Sequence, residues 1–392
     1  MYNKPPKNWK RVTLGELLDY ERPDKYIVSS EDYSDSYKTP VLTAGKTFIL
    51  GYTNDTEDIY KNLPVIIFDD FTTESKYVDF DFKVKSSAMK ILKAENNITL
   101  KYLYYLMQTL SFNHDTHKRY WISEYSKLKI DIPDKIEEQQ EIVQVLDTMS
   151  NIIRLREECI SHAQDLIPAL FQEMFGDLDC NNSYKKVLFG DIITVLTDYH
   201  ANGSYEKLKE HVTLLDNPDY ALMVRTTDLE KNNFIDNVKY ISQSAYEFLE
   251  KSKIYGGEII INKIGSAGNV YLMPKLNRPV SLGMNACLIR IDEKCANNIF
   301  IYNLLTSSYG KKIIQEKVSG AVTKTITKNS IRSLKLYLPP VEQQELFAEK
   351  AQEIEEYIKT QQAELENAKQ MFQSLLHHAF TGELTRRAYG KN

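Results

Sequence analysis

Two collinear copies of one unit make up the sequence, and this repeat limits the possible folds more than any other feature. Residues 9–16 (WKRVTLGE) match residues 184–191 (YKKVLFGD). The remaining matches keep the same order: 64–68 with 257–261, 86–91 with 284–289, 102–107 with 300–305, 136–140 with 341–345, and Phe175 with Phe380. Each match alone is weak and could arise by chance among apolar runs. Their shared order, with a spacing that only grows, predicts a tandem repeat whose second copy carries insertions.

Each copy has a mixed segment of short strands and helices, followed by a long helix. Runs of β-branched residues at 65–68, 258–261 and 286–291 predict strands. Pro133 and Pro339 close the mixed segments, and the acidic residues that follow favour the positive end of a helix dipole. The sequence therefore predicts an α+β protein, with two globular α/β domains separated by two long helices. The predicted boundaries are 1–135 for the first domain, 136–176 for the central helix, 177–340 for the second domain, 341–384 for the C-terminal helix and 385–392 for a tail.

Apolar residues recur every seven positions in both long helices, which predicts that the helices pack as a coiled coil. In the central helix the main rows are Ile142, Met149, Arg156, Ala163, Leu170 and Val145, Ile152, Cys159, Leu166. In the C-terminal helix they are Phe347, Ile354, Gln361, Ala368, Leu375 and Ala351, Ile358, Leu365, Phe372, Ala379. Arg156 and Gln361 place a polar side chain in these rows, which costs stability but can fix register. The alternative is one buried amphipathic helix per domain, and Pro168 predicts a bend near the end of the central helix.

The charge of the chain is unevenly distributed. The net charge of −5 argues mildly against a nucleic-acid partner. However, residues 311–335 are strongly basic and contain only one acidic residue, Glu316. The matching stretch of the first copy, 118–129, is also basic and includes aromatic residues. A solvated surface would explain one such zone, but the recurrence in both copies favours contacts to phosphate.

Candidate DNA-contacting residues follow from charge, interleaved aromatic residues and position before the strand that closes each copy. In the first copy they are Lys118, Arg119, Tyr120 and Trp121. In the second copy they are Lys263, Ser266, Asn285, Lys324, Thr325, Lys328 and Asn329. Lysine and arginine contacts to phosphate would affect affinity for all sequences, whereas base contacts would discriminate single positions of the target.

The sequence offers no catalytic, cofactor or metal site. The four cysteines form no C-x-x-C pair, which argues against a zinc site and a disulfide framework. There is no G-x-G-x-x-G motif, no Walker-type loop, no G-x-S-x-G motif, and no Asn/Asp-Pro-Pro-aromatic tetrapeptide of the kind typical of amino-methyltransferases. No apolar signal or membrane-spanning window is present, so a cytoplasmic protein is expected.

Several motifs, taken together and in order, resemble those of Type I restriction–modification specificity subunits over almost the whole chain. Each copy opens with the pattern W/Y-K-x-V-x-L/F-G-D/E, at 9–16 and 184–191. Each long helix opens with a strand, a proline and a Glu/Gln run, at 130–140 and 336–344. Phe-Thr-Gly-Glu-Leu at 380–384 resembles the ending of the family. The first copy departs from the pattern, because it has one extra residue before its Glu-Glu-Gln-Gln run and a single Pro133.

The resemblance implies two target-recognition domains, each of which reads one half of a split double-stranded DNA site. It implies that the long helices pack antiparallel and set the distance between the halves. Methyltransferase subunits would supply S-adenosylmethionine chemistry, and restriction subunits would supply ATP- and magnesium-dependent chemistry, so this chain itself would need neither cofactor nor active site. Two alternatives remain: an adaptor whose helices bind a protein and which does not read DNA, and a nuclease with an unrecognised centre.

Overall fold

The computed structural model describes residues 8–43, 47–110, 119–176, 178 and 184–384. The chain forms two compact units. Unit 1 consists of Met1–Glu158 and Gln362–Asn392, and unit 2 consists of Cys159–Gln361. Each unit therefore contains the mixed segment of one copy, the start of the long helix that follows it, and the end of the other long helix.

The described residues of unit 1 form nine strands, and three helices precede its long helix. The strands are β1 (Trp9–Thr13), β2 (Asp19–Glu21), β3 (Thr39–Leu42), β4 (Ile49–Thr53), β5 (Val65–Asp69), β6 (Ser75–Val78), β7 (Lys83–Val84), β8 (Met89–Lys93) and β9 (Lys129–Pro133). The helices are α1 (Leu14–Leu17), α2 (Asn97–Met107) and α3 (Tyr120–Ser123), and the long helix α4 (Ile136–Phe175) begins in this unit. The sheets have the orders β2-β8-β5-β6, β4-β3-β7 and β1-β9.

Strand β5 is at the centre of unit 1, because all five of its residues are buried. Neighbouring side chains of a strand point to opposite faces of the sheet. Accordingly, Ile66 and Phe68 pack in the core that includes the long helices, whereas Val65 and Ile67 pack in a second core on the other face. The continuous apolar run of this strand is thus explained by burial on both faces.

Unit 2 repeats this plan with more elements. Its strands are β10 (Lys185–Leu188), β11 (Ile193–Asp198), β12 (Ala221–Val224), β13 (Lys239–Ile241), β14 (Lys253–Ile254), β15 (Ile259–Asn262), β16 (Val270–Leu272), β17 (Val280–Leu282), β18 (Ala286–Ile291) and β19 (Lys335–Leu338). Its helices are α5 (Phe189–Ile192), α6 (Tyr205–His211), α7 (Thr226–Glu230), α8 (Gln243–Phe248), α9 (Asn298–Thr306), α10 (Ser308–Gln315) and α11 (Lys328–Arg332), and α12 (Val341–Phe380) begins here.

The strand orders confirm the tandem repeat. The unit-2 sheet β11-β18-β15-β16 has the same order as β2-β8-β5-β6 in unit 1, and β10 pairs with β19 as β1 pairs with β9. Equivalent backbone hydrogen bonds also recur: Leu14 N–H donates to Leu128 O at 3.0 Å, and Phe189 N–H donates to Leu334 O at 2.8 Å. The sheet β13-β12-β17-β14 and helices α6 to α8 make up much of the larger second copy.

The long helices, α4 and α12, are 40 residues each and run antiparallel within each unit. In unit 1, Ile142 packs in one core with Leu376 and Ala379 from the far end of α12. Later in α4, Glu157 pairs with the Lys369 ammonium at 3.0 Å. Residue numbers therefore rise along α4 as they fall along α12. In unit 2, Phe171 and Phe175 of α4 pack on Phe347 of α12, with ring centroids 5.4 and 5.6 Å apart.

The predicted rows are confirmed for α12 and partly wrong for α4. Val145, Ile152 and Leu166 of the second α4 row are exposed, whereas Leu146 and Ile160, from the residues that widen the apolar stripe in the sequence, are buried. The reason is that the apolar band on α4 is wider than the contact surface that α12 covers. Both rows of α12 are buried or half-buried, with the polar Gln361 among them.

Helix α4 contains a polar residue, Arg156, in its apolar row and a proline, Pro168, in its interior. Arg156, the polar residue of the first row, forms an ion pair with Glu364 of α12 inside unit 1. Pro168 lies inside the helix, which continues without interruption to Phe175. Pro168 is exposed, and it removes one hydrogen bond from the helix because proline has no backbone N–H.

A buried glutamine attaches each long helix to its own domain. Gln344 Nε2 donates to Pro339 O at 2.8 Å, and its Oε1 accepts from Asn297 N–H at 3.0 Å. In unit 1, Gln139 Nε2 donates to Pro133 O at 3.1 Å, and its Oε1 accepts from the Thr99 hydroxyl at 2.9 Å. A buried amide that both donates and accepts a hydrogen bond fixes the local geometry, because displacement leaves polar groups unpaired.

We expect Gln344→Ala to lower the free energy of unfolding by about 2–4 kcal/mol, because it leaves Pro339 O and Asn297 N–H buried without their partner. The neighbouring Gln343 is exposed, so Gln343→Ala is the matched control and should change stability by less than about 0.5 kcal/mol. Urea denaturation of the full chain measures both. Equal effects of the two substitutions would contradict this role of Gln344.

Candidate nucleic-acid interface

Three neighbouring strands of unit 2 bring polar residues to one edge of their sheet. Strand β11 ends at Asp198, which pairs with Cys287 near the start of β18. Strand β15 ends at Asn262, which pairs with Ala286, and Lys263 follows it. Because β18 is antiparallel to both neighbours, its start lies beside their ends. We call the residues Asp198, Lys263, Asn285, Lys324 and Lys328 the unit-2 edge.

Backbone hydrogen bonds hold the loops of the unit-2 edge together. Lys263 N–H donates to Asn285 O at 2.6 Å, and Lys263 O accepts from Ile326 N–H at 3.0 Å. Gly265 N–H donates to Lys324 O at 3.2 Å. The segment before α11 is therefore paired with the loop that follows β15, although more than fifty residues separate the two in sequence.

Gly268, in the loop between β15 and β16, allows helix α10 to approach this loop closely. Its φ of +91° lies in the left-handed region, and a Cβ at this position would lie 2.6 Å from Ile314 Cγ2. A larger residue would therefore be strained in its backbone and would displace α10 from the hairpin.

One carboxylate joins two of the candidate lysines. Lys263 Nζ lies 2.6 Å from Asp198 Oδ2, and Lys328 Nζ lies 3.0 Å from Asp198 Oδ1. Burial raises the pKa of Asp198, but the hydrogen bonds and positive charges of the two lysines outweigh this, so that its pKa lies below the ordinary value. The group carries a net charge of about +1, since two ammonium groups share one carboxylate.

The other unit-2 candidates surround this group. Lys324 is exposed, and Thr325 is half-buried and exchanges two backbone hydrogen bonds with Ser319. The Ser266 hydroxyl donates to Glu230 Oε1 at 2.7 Å, so that this serine has a partner within the unit. Asn329 is exposed on α11.

An apolar cavity of about 460 Å³ opens beside Asn285. Its lining includes Tyr199, Tyr205, Leu214 and Met284, of which the last three are exposed. Exposed apolar side chains around a cavity are typical of a binding surface. No sequence pattern pointed to this cavity, because its lining residues come from separate segments between 199 and 285.

Unit 1 has an edge at the equivalent position. Asp70 N–H donates to Ala88 O at 3.3 Å, and Asp70 O accepts from Tyr120 N–H at 2.9 Å, as Lys263 does with Asn285 and Ile326. Asp70 is paired with Lys90 at 3.2 Å, but side-chain exposures of 2% and 3% show that this ion pair is closed to solvent. The accessible chemistry of this edge must therefore come from other residues.

The structure corrects the expectation that Tyr120 and Trp121 line a DNA surface. Both side chains are buried, and the Trp121 ring lies 5.3 Å from Phe68 and 6.1 Å from Tyr125, centroid to centroid. Side chains packed in the core cannot also lie along a groove. Aromatic spacing alone does not distinguish these two environments.

The exposed residues at this position are Arg119, Phe71 and Ile122, which we call the unit-1 edge. Of the four candidates in the first copy, Arg119 is thus the one placed at the surface, and Lys118 lies outside the described residues. Phe71 is the second residue after the end of β5, next to Asp70, and Ile122 is next to Trp121. By the matching backbone hydrogen bonds, Phe71 corresponds to Ile264 and Ile122 to Lys328 of unit 2. The sequence analysis did not select Phe71 and Ile122 because it looked for charged and polar residues.

The described part of the chain contains no group of three or more His, Cys, Asp or Glu residues that could hold a metal ion. None of its helices is both long and apolar enough to cross a membrane.

Comparisons with known proteins match most of the chain. The family model described as the Type I restriction modification DNA specificity domain matches residues 6–162 and 182–369. The EcoR124I/EcoR124II specificity subunit of Escherichia coli is 57% identical over 148 residues, which cover 35% of this chain and 37% of that protein. The MjaVIII specificity subunit of Methanocaldococcus jannaschii is 21% identical over 404 aligned residues, which cover 97% of this chain and 93% of that protein.

The chain spans 37% and 59% of the lengths of the first two curated relatives that it matches. Solved structures share the fold. The S subunit of a Type I restriction–modification system from M. genitalium superposes with a TM-score of 0.61 at 16% identity, covering 97% of this chain and 98% of that one. A chain from a study of complex assembly and conformational transition in the type I R-M system gives 0.54 at 15% identity, covering 97% and 100%.

The family model covers both copies of the repeat, each of which has the same strand order and an equivalent edge. The chain therefore belongs to the family of Type I restriction–modification DNA specificity proteins.

Proposed function

We propose that this chain is the DNA-reading subunit of a Type I restriction–modification complex, in which each unit reads one half of a split target. The observation that carries this proposal is the unit-2 edge. There, Lys263, Lys324 and Lys328 come from distant segments to one end of a sheet. Clustered cations suit the phosphate backbone and the acceptors of the major groove.

The negative net charge is compatible with DNA binding because it is concentrated elsewhere. Glu342, Glu345 and Glu349 are exposed on α12, outside the basic stretch 311–335. Electrostatic attraction depends on the local surface that faces the DNA and is screened over about 8–10 Å in physiological salt. The acidic helix surface therefore need not cancel the attraction at the edge.

The two edges suit different base contacts. In unit 2 Asn285 belongs to the edge with the lysines and also lines the apolar cavity, whereas the unit-1 edge combines the exposed Arg119 with Phe71 and Ile122. Apolar side chains contact the thymine methyl group, while arginine and lysine contact guanine. Both edges would therefore discriminate between bases, the unit-2 edge mainly through lysines and the unit-1 edge through Arg119 and apolar side chains.

We further propose that the chain is non-catalytic. Methyltransferase subunits would supply the S-adenosylmethionine chemistry, and restriction subunits would supply the ATP- and magnesium-dependent chemistry, all in the cytoplasm. The alternative, an adaptor that does not read DNA, predicts no binding to duplex DNA. A nuclease predicts metal-dependent cleavage by the purified chain, so one gel-shift and cleavage assay distinguishes the three.

We expect Lys317→Ala with Lys324→Ala to weaken binding to any duplex about tenfold and to reduce the slope of log affinity against log salt by about 2, because two exposed cations of the basic zone are lost. Lys350 and Lys359 are exposed on α12, and their double alanine variant is the control for the same change of charge. Fluorescence anisotropy at several salt concentrations measures both. If the control loses as much affinity, the DNA-binding surface has been placed wrongly.

The long helices should set the length of the unread spacer between the two half-sites. One heptad inserted between Arg154 and Glu158, together with one between Thr360 and Glu364, adds about 10 Å of helix, or about three base pairs. A heptad keeps the apolar rows in phase, and both insertions are needed to keep facing layers in register. We expect a longer spacer with both half-sites unchanged.

The measurement is the methylated motif in cells that carry the chain with its methyltransferase partner. A single insertion in α4 is the control, and it should reduce activity because facing layers no longer match. An active double variant with the original spacer would rule out the helices as the ruler.

A further inference from the structure

We propose that Asp198 is a positioning residue that fixes Lys263 and Lys328 for contact with a guanine in the half-site read by unit 2. This inference rests on the proposed function, which it extends to a named base. Neither the charge pattern nor the aromatic spacing of the sequence pointed to Asp198, because it lies 65 residues before Lys263.

The carboxylate of Asp198 is held from three directions. Its Oδ1 accepts from Ala201 N–H at 3.1 Å and from Lys328 Nζ at 3.0 Å, while its Oδ2 accepts from Lys263 Nζ at 2.6 Å. The backbone contact orients the carboxylate, and the carboxylate in turn orients the two ammonium groups. Each ammonium has three N–H donors, so that two donors of each lysine remain for other acceptors.

The exposures of the three side chains are graded. Asp198 is 8% exposed, Lys263 is 18% exposed and Lys328 is 35% exposed. The carboxylate is thus beneath the ammonium groups, and an incoming ligand meets cations first. A purely structural ion pair would need only one lysine, as the closed Asp70–Lys90 pair of unit 1 shows. Neutralising the charge of Asp198 would require only one lysine, so the presence of a second lysine needs another explanation.

The arrangement favours a base over a phosphate. A phosphate needs positive charge, and the carboxylate cancels about one of the two charges, so that attraction to phosphate is weakened. In exchange, the ammonium groups lose the freedom of mobile lysine side chains and keep fixed positions. Fixed donors discriminate between bases because discrimination depends on geometry.

Guanine is the base that matches two neighbouring cations. In the major groove it presents two acceptors, N7 and O6, side by side. Adenine presents one acceptor beside a donor, thymine presents one acceptor beside a methyl group, and cytosine presents a donor. Two ammonium groups held together would therefore find both partners at guanine only.

Asp198→Asn tests the inference, because asparagine keeps the shape and an acceptor oxygen but loses the charge that holds two lysines. The readout is the methylated motif in cells that carry the full chain and its methyltransferase partner. We expect one G·C position of the second half-site to relax, with discrimination falling about tenfold or more. The first half-site should stay unchanged. The matched control is Asp216→Asn, which removes a carboxylate paired with Lys239 elsewhere in unit 2 and should leave the motif intact.

Lys328→Gln provides a second, independent variant, since this lysine is the most exposed of the three side chains. It should relax the same position, and thermal unfolding of each variant shows whether the fold is kept. If Asp198→Asn does not fold, Lys328→Gln decides. A folded variant with an unchanged motif overturns the inference, as does a change of affinity that is uniform over all sequences, which would indicate phosphate contacts.

A wild-type second half-site without any G·C pair also overturns the inference while leaving the proposed function in place. Failure of the wild-type chain to direct methylation at any site would instead contradict the proposed function itself.

Discussion

The core of each unit is completed by a part of the chain that is distant in sequence, and the rest of the structure depends on this constraint. In unit 1, Ile142 and Leu146 of α4 share a core with Leu376 and Ala379 of α12. In unit 2, the end of α4 packs on the start of α12 through the cluster around Phe347. A long amphipathic helix cannot bury its apolar face against its own domain alone, so the heptad pattern requires the second helix. The tandem repeat supplies that helix.

Each long helix is attached to the mixed segment that precedes it by buried hydrogen bonds. Gln139 and Gln344 provide the attachment, because each amide bridges the proline that closes the domain and the start of a domain helix. Unit 1 adds a hydrogen bond from the Trp9 indole N–H to Glu138 at 3.0 Å. The Glu/Gln run at the start of each long helix, which the sequence offered only as a family motif, thus contains the residue that attaches the helix to its domain.

The sequence predicted the repeat, the α+β class and the long helices, because local periodicity and collinear matches are sufficient to indicate these features. It also identified lysines that the fold brings together at the unit-2 edge, although their contact with DNA remains a prediction. It failed where an environment is created only by folding. Trp121 is a core residue rather than a surface aromatic, and Asp198 and Phe71 gained significance only when distant strands met at one edge.

The two edges show how one scaffold can carry different chemistry. The backbone bonds of Asp70 in unit 1 and Lys263 in unit 2 are equivalent, yet their side chains have opposite charges. In unit 1, Lys90 of β8 lies opposite Phe68, and in unit 2 the equivalent position opposite Ile261 is Cys287. Unit 2 therefore has no lysine at the position of Lys90. Its ion pair is formed instead between Lys263 and Asp198, which lies at the end of the neighbouring strand β11. Because the backbone of each edge is held by main-chain bonds, side chains there can be exchanged without altering the sheet. A fold with this property can keep its helices and joints constant while the residues at its edges determine what each unit contacts.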